Sequence, residues 1–121
     1  MRIISGKYGG RRIHPPTNMP HTRPTTDIAK EGLFNILHNR VAMDGASTLD
    51  LFGGTGCISY ELASRGAEQL TIVEKDKTML DFIKKNIDFL KIENAMTIQM
   101  DVFQFLATCH QQYDIIFAGP P

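Results

Sequence analysis

The run Thr48-Leu49-Asp50-Leu51-Phe52 passes directly into Gly53-Gly54-Thr55-Gly56 and then into an apolar helical pattern, and this junction limits the possible folds more than any other feature. A short apolar run that stops at glycines reads as a buried strand, and the glycines let the next turn carry backbone N–H groups close to a ligand. The helix after the turn is expected over about Ile58 to Arg65, stopped by Gly66, with Arg65 near the negative end of its dipole. The alternation then repeats. Leu70-Thr71-Ile72-Val73 predicts a second strand ending at Glu74, and Leu80, Ile83, Ile87 and Leu90 mark an amphipathic helix over Lys77 to Leu90. Thr97 to Met100 reads as a third strand ending at Asp101, Val102 to Leu106 as a helical turn, and Asp114 to Ala118 as a fourth strand. Upstream, Thr26 is a good N-cap for a first helix with Asp27 in its first turn and Ala29, Leu33, Ile36 and Leu37 on its inner face. Such alternation implies right-handed crossovers, so the expected fold is α/β, a parallel sheet with helices on both faces.

The chain has 121 residues, enough for one domain with a real core, and its 42% hydrophobic and 21% charged residues exclude disordered, collagen-like and coiled-coil compositions. No apolar stretch approaches the roughly 18 residues of a membrane span, and the segment Met1 to Gly6 offers no signal-peptide core, so a cytoplasmic location with no membrane partner is expected. Cys57 and Cys109 lie far apart, and His14, His21, His38 and His110 are scattered, so neither a disulfide nor a metal site is expected.

Lys plus Arg and Asp plus Glu number 13 each, yet the charges are segregated. Through residue 40 the bases Arg2, Lys7, Arg11, Arg12, Arg23, Lys30 and Arg40 face only Asp27 and Glu31. Gly6, Gly9 and Gly10, then Pro15, Pro16, Pro20 and Pro24, keep this stretch from forming a helix. Residues 1–25 are therefore expected to form a basic arm whose Arg2, Lys7, Arg11, Arg12 and Arg23 track a phosphate backbone, and residues 26–121 a ligand-binding α/β unit.

Ligands of open parallel sheets bind beyond the carboxyl ends of the strands, which here carry Asp50 to Gly56, Glu74, Asp101 and Gly119 to Pro121. Glu74 follows the glycine loop by roughly the 20 residues expected of a carboxylate that accepts from a ribose diol. Asp101 can accept from an adenine amino group or cap the next helix, and the two roles are compatible. A dinucleotide loop needs a third glycine where Gly54-Thr55-Gly56-Cys57-Ile58-Ser59 has serine, and a P-loop needs a Gly-Lys-Ser/Thr that is lacking. Asp50 would repel a pyrophosphate but suits the ammonium of a methionine moiety, which points to S-adenosyl-L-methionine.

Several segments carry a family resemblance: Arg2 to Gly6, Gly10-Arg11-Arg12, Thr22-Arg23-Pro24-Thr25-Thr26-Asp27, Lys30 to Asn35, Leu49 to Gly56, and Ser64-Arg65-Gly66-Ala67. Together they resemble the bacterial 16S ribosomal RNA guanine-N2 methyltransferases of the RsmD type. The glycine loop is common to very many methyltransferases, whereas the segment from Arg23 to Asn35 is specific to this family and its near relatives. The resemblance covers essentially the whole chain. It implies a Rossmann-like class I methyltransferase fold with Asp50, Phe52, Gly53, Gly54, Thr55 and Gly56 around the methionine part of S-adenosyl-L-methionine, Glu74 on the ribose and Asp101 on the adenine. It also implies 16S ribosomal RNA, in the small subunit or its assembly intermediate, as partner of a monomeric enzyme.

The family's catalytic motif after the fourth strand is Asp/Asn-Pro-Pro-Tyr/Phe, where this chain has Gly119-Pro120-Pro121. Guanine N2 is a poor nucleophile because its lone pair is delocalised, so the site has to accept its N–H bonds and hold it in line with the methyl. With Gly119 in place, the backbone carbonyls of Gly119 and Pro120 are the candidate acceptors, and the base-stacking aromatic is missing. In the family's sheet the fourth strand is internal, so the resemblance implies that Ile115-Ile116-Phe117 would here lie on an exposed apolar edge, from which the chain is expected to be the N-terminal part of a longer protein, with about 60 residues to follow. Alternatives are a related methyltransferase of DNA adenine or protein glutamine, a module that binds cofactor or RNA without turnover, and a nicotinamide-dependent oxidoreductase. Cys57 reads as a small residue packing the helix start rather than a nucleophile, and Phe52, Phe82, Phe89, Phe103 and Phe105 as core.

Overall fold

Hydrophobic alternation along two short strands sets up the sheet. In β1 (Ser47–Asp50) and β2 (Gln69–Glu74), neighbouring side chains point to opposite faces and nearly all are buried, the pattern of interior strands in a parallel sheet. The computed structural model describes residues 1–15 and 25–120. Its four strands, completed by β3 (Ala95–Gln99) and β4 (Ile115–Phe117), are all parallel in the order β3-β2-β1-β4. The order reverses beside β1, because the chain leaves β1 toward β2 and β3 and then returns to β4 on its other side. A crevice at such a reversal is where open α/β sheets bind ligands.

Helices cover both faces. Leu70 of β2 shares a cluster with Cys57, Ile58 and Leu62 of α2 (Cys57–Ser64), and with Phe34 of α1 (Asp27–His38) behind them. Leu49, Leu51 and Val73 point the other way, onto Val102 and Phe105 of α4 (Val102–Thr108). The longest helix, α3 (Lys77–Leu90), starts at Asp76, whose carboxylate accepts from the Met79 N–H at 3.1 Å. Ile83 of α3 and Ile72 of β2 close on Gly53, where an added Cβ would lie 2.6 Å from the Ile72 Cγ2.

Strand and helix types match the sequence expectation, with shifted ends. β1 stops at Asp50 because the chain bends into the glycine turn, although the Leu51 N–H still donates to the Phe117 carbonyl at 3.0 Å. β3 begins earlier than expected and β4 is shorter, while α4 runs to Thr108. β4 pairs with β1 alone among the described strands, and Ile116 is exposed.

α1 corrects the expected inner face. Thr26 caps it as predicted, but Lys30 and Phe34 are the buried residues, Leu33 and Leu37 are half-buried, and Ile36 is 59% exposed. Periodicity placed the lysine outside because it could not see a buried anion. Lys30 meets Glu61 of α2, with Nζ 3.5 Å from Oε1, and also donates to the Arg2 carbonyl. Phe89 and Phe103, expected in the core, are 63% and 77% exposed. Phe105 alone of the five phenylalanines is fully buried, since helical spacing puts only one of Phe103 and Phe105 on the sheet side of α4.

The N-terminal segment folds back on itself and onto α2. Arg2 and Arg12 form an antiparallel bridge, the Ile3 N–H donates to the Arg11 carbonyl at 2.9 Å, and the Gly10 N–H donates to the Ile3 carbonyl at 2.8 Å. Ile3, Tyr8 and Ile13 pack with Tyr60 of α2 and Leu90 of α3. Gly6 (φ 85°) presses against the end of α2: a Cβ there would lie 2.0 Å from the Ser64 carbonyl oxygen. Glu61, fully buried, fastens this loop by accepting from the Ile4 N–H at 2.8 Å and the Ser5 N–H at 3.1 Å.

Candidate functional site

The sheet brings the predicted tip residues into one row. Read across β3, β2, β1 and β4, the chain continues from the strand ends into Asp101, Glu74, Asp50 with the glycine turn, and Gly119-Pro120. Each is held differently, and the differences follow from its neighbours.

Asp50 is 1% exposed and ends an interior strand. Its Oδ2 accepts from the Ser59 hydroxyl at 2.9 Å, while the buried Oδ1 has no hydrogen-bond partner among the described residues. Burial pushes this carboxyl up to about 6, with Ser59 and the Phe52 backbone opposing and the Glu74 charge adding to the rise. A raised carboxyl stabilises the folded chain below the ordinary carboxylate range, and that contribution is lost as pH rises through about 6. At neutral pH the fold therefore holds a buried anion with an unmet acceptor, which a cation at Oδ1 would satisfy.

The glycine turn is built by left-handed backbone at Gly54 (φ 57°) and Gly56 (φ 83°). A Cβ at Gly56 would lie 2.5 Å from the Tyr60 phenol, so this glycine is needed for the helix to start where it does. Beside Gly54, in contrast, a Cβ would meet only the Phe52 carbonyl at 3.9 Å, so the turn's surface there is open. Thr55 is buried, with its hydroxyl 3.7 Å from the Met1 sulfur, and Phe52 packs half-buried beside Leu49, Leu51 and Val73.

Glu74 ties the turn to β2. Its Oε1 accepts from the Gly54 N–H and its Oε2 from the Asp76 N–H, both at 2.9 Å. The carboxylate is thus fixed in position yet half-buried, with lone pairs to spare on each oxygen. Asp101 caps α4: Oδ1 accepts from the Phe103 N–H at 2.9 Å and the Gln104 N–H at 3.3 Å, and no hydrogen bond reaches Oδ2 among the described residues. Both readings of Asp101 stay compatible in this arrangement.

Gly119 and Pro120 are exposed beyond β4. A Cβ at Gly119 would lie 2.8 Å from the Phe117 ring, so a side chain at this position requires that ring to turn away. Pro121 and Arg23, named from the sequence as catalytic and RNA-binding candidates, lie outside the described residues.

The other basic residues are on the N-terminal loop, and all four are exposed. Arg2 is partly engaged, its Nε 3.8 Å from Asp27. The Lys7 amine and the Arg11 guanidinium sit 5.5 and 5.9 Å from the Tyr8 ring centre, so both cations lie close to this one ring. The sequence reading missed the cluster behind the loop. Glu61 binds Arg65 Nε at 2.9 Å in addition to Lys30, and the Arg65 guanidinium lies 4.8 Å from the Phe34 ring centre. The i,i+4 spacing of Glu61 and Arg65 was the one visible sign of it.

Four parallel strands in this order, with a glycine turn after β1 and carboxylates on successive tips, define the Rossmann-like class I methyltransferase fold. The solved structure of yhhF from Escherichia coli, provisionally assigned as a methyltransferase, superposes with a TM-score of 0.87 at 33% identity over the whole chain and 63% of that structure. The chain belongs to the family described as Conserved hypothetical protein 95, whose model matches residues 1–121. It is 39% identical over 121 residues to ribosomal RNA small subunit methyltransferase D of Buchnera aphidicola subsp. Baizongia pistaciae, and 38% identical to the Escherichia coli K12 protein of that name. The chain spans 61% and 60% of the lengths of these two relatives and is fully covered by each. SMU.776, another provisionally assigned methyltransferase, solved as a complex with SAH, shares 28% identity over 76% of this chain and 25% of its own, with a TM-score of 0.66.

Proposed function

We propose that this chain is the cofactor-binding part of an S-adenosyl-L-methionine-dependent methyltransferase that modifies the exocyclic N2 of a guanine in 16S ribosomal RNA. The observation that carries the proposal is the buried Asp50 with its unpaired Oδ1, set in line with Glu74 and Asp101 along the strand tips. The residues fit this cofactor. Asp50 offers an acceptor for its ammonium, Glu74 has lone pairs for a ribose diol, Asp101 Oδ2 is free for an adenine amine, and the surface at Gly54 admits close approach. Phe52, Gly53, Thr55 and Gly56 shape the turn that supports these contacts. When bound, the cofactor supplies an electrophilic methyl group on sulfur. The chain's own part is to orient the amine: the carbonyls of Gly119 and Pro120, with Pro121 following, accept its N–H bonds.

Lys7, Arg11 and Arg12, with Arg2 and Arg23, form the RNA-docking arm of residues 1–25. The relatives named for ribosomal RNA methylation support this reading, as does the collection of cations on a loop fastened to α2. The partner is the small subunit or its assembly intermediate, met in the cytoplasm by a monomer. Among the described residues no helix is long and apolar enough to cross a membrane. The Gly119 position favours one competing reading, a module that binds cofactor and RNA without turnover.

Protein expressed from its full gene should transfer tritium-labelled methyl groups to small subunits that lack the modification, and nuclease digestion should release N2-methylguanosine. Cofactor binding without transfer would favour the non-catalytic reading, and transfer to DNA or a protein glutamine would replace the substrate. Arg11→Ala combined with Arg12→Ala should weaken RNA binding and reduce the slope of log affinity against log salt by about two. Calorimetric affinity for S-adenosylhomocysteine should stay at the parent value; its loss in the double variant would contradict the division of roles.

A further inference from the structure

Ser59 occupies the position where a dinucleotide-binding turn has its third glycine, a residue that there serves only close packing of helix on strand. In this chain the position carries a functional group. Ser59 lies in the first turn of α2, is itself buried, and directs its hydroxyl onto Asp50 Oδ2 at 2.9 Å, leaving Oδ1 as the oxygen without a partner. A carboxylate at a strand tip could otherwise rotate or take up a proton. With one oxygen held by a buried donor, the other is fixed in direction and the ionised form is favoured.

We propose that Ser59 is a positioning residue that holds Asp50 ionised with Oδ1 presented to the ammonium of the cofactor's amino-acid end. This rests on the reading that the cleft takes S-adenosyl-L-methionine. The groups that act on Asp50 come from β2, from α2 and from the turn after β1, where the Phe52 backbone favours the carboxylate. Glu74 from β2 opposes its ionisation, and the Tyr60 phenol on α2, beside Cys57, is close enough to feel the Asp50 charge. β4 brings only Ile115, Ile116 and Phe117, none of which titrates. Ser59 is thus the side chain on α2 that favours the carboxylate against burial and Glu74.

The test measures binding of S-adenosylhomocysteine and of 5′-methylthioadenosine, which lacks the amino-acid end, to parent, Ser59→Ala and Ser59→Gly proteins from pH 5 to 8.5 by calorimetry. For the parent, S-adenosylhomocysteine affinity should fall as pH drops through the region near 6, where Asp50 takes up a proton. In both variants this fall should begin about one pH unit higher, the size of a hydrogen bond to an ion. Affinity for methylthioadenosine should match the parent at every pH, which also shows that the variants fold. Equal S-adenosylhomocysteine profiles in parent and variants would overturn the proposal while leaving the cofactor reading intact. Equal losses of both ligands would overturn it too, because Ser59 would then support the whole turn. No binding of either ligand to the parent would reject the cofactor reading itself.

Discussion

Replacing Glu61 with alanine is expected to destabilise the protein by about 3–5 kcal/mol, the usual consequence of stranding a buried charge. Glu61 accepts from two cations and two peptide N–H groups while fully buried, so its removal leaves the buried Lys30 of α1 with only the Arg2 carbonyl as partner among the described residues and frees the Ile4 and Ser5 donors. Lys30→Met should cost less. In that variant Glu61 keeps Arg65 and both peptide donors, and a methionine of similar length fills the space. Urea unfolding of the two variants reads the difference directly. A Glu61→Ala protein within about 1 kcal/mol of the parent would show that the cluster is not what holds the N-terminal loop to α2.

Glu74→Ala is expected to weaken binding of S-adenosylhomocysteine by about 2–4 kcal/mol, or roughly 30-fold to 1,000-fold, from the loss of two hydrogen bonds to a charged acceptor. Part of that loss is indirect, because the Gly54 and Asp76 N–H groups lose their acceptor and the turn keeps only the backbone bond from the Gly53 N–H to the Val73 carbonyl as its described hydrogen bond to β2. The analogue 2′-deoxy-S-adenosylhomocysteine separates the two contributions. It should bind the parent more weakly than the full ribose does, and the alanine variant should discriminate little between them. Titration calorimetry with both ligands checks this, and unchanged affinity in the variant would remove Glu74 from the site.

Much of this architecture was legible because strand and helix differ in hydrophobic period and because glycine, proline and capping residues punctuate them. Thr26, Asp101 and Gly66 mark helix ends as their local chemistry requires. The row of Asp50, Glu74 and Asp101 was legible for a topological reason, since a parallel sheet puts all its strand ends on one side. What escaped the sequence depended on long-range partners. Lys30 is separated by 31 residues from the Glu61 that allows it to be buried, and Ile36 is exposed because that pairing rotates α1 onto its Lys30 and Phe34 side. The glycines and prolines of the N-terminal segment mark it as non-helical, and Arg2 and Arg12 do pair antiparallel, but the packing of Ile3, Tyr8 and Ile13 against Tyr60 and Leu90 depends on partners far along the chain. In the sequence Ser59 is only a departure from a glycine pattern, because its hydrogen bond to Asp50 depends on how α2 packs against β1.

The direct measurement of the central claim is a crystal structure of the protein with S-adenosylhomocysteine. Adenosine is expected to lie across the strand tips, its ribose hydroxyls on Glu74, its amine at Asp101 and the ammonium on Asp50 Oδ1. Density for the nucleoside elsewhere, or a cleft that stays empty at saturating ligand, would contradict it.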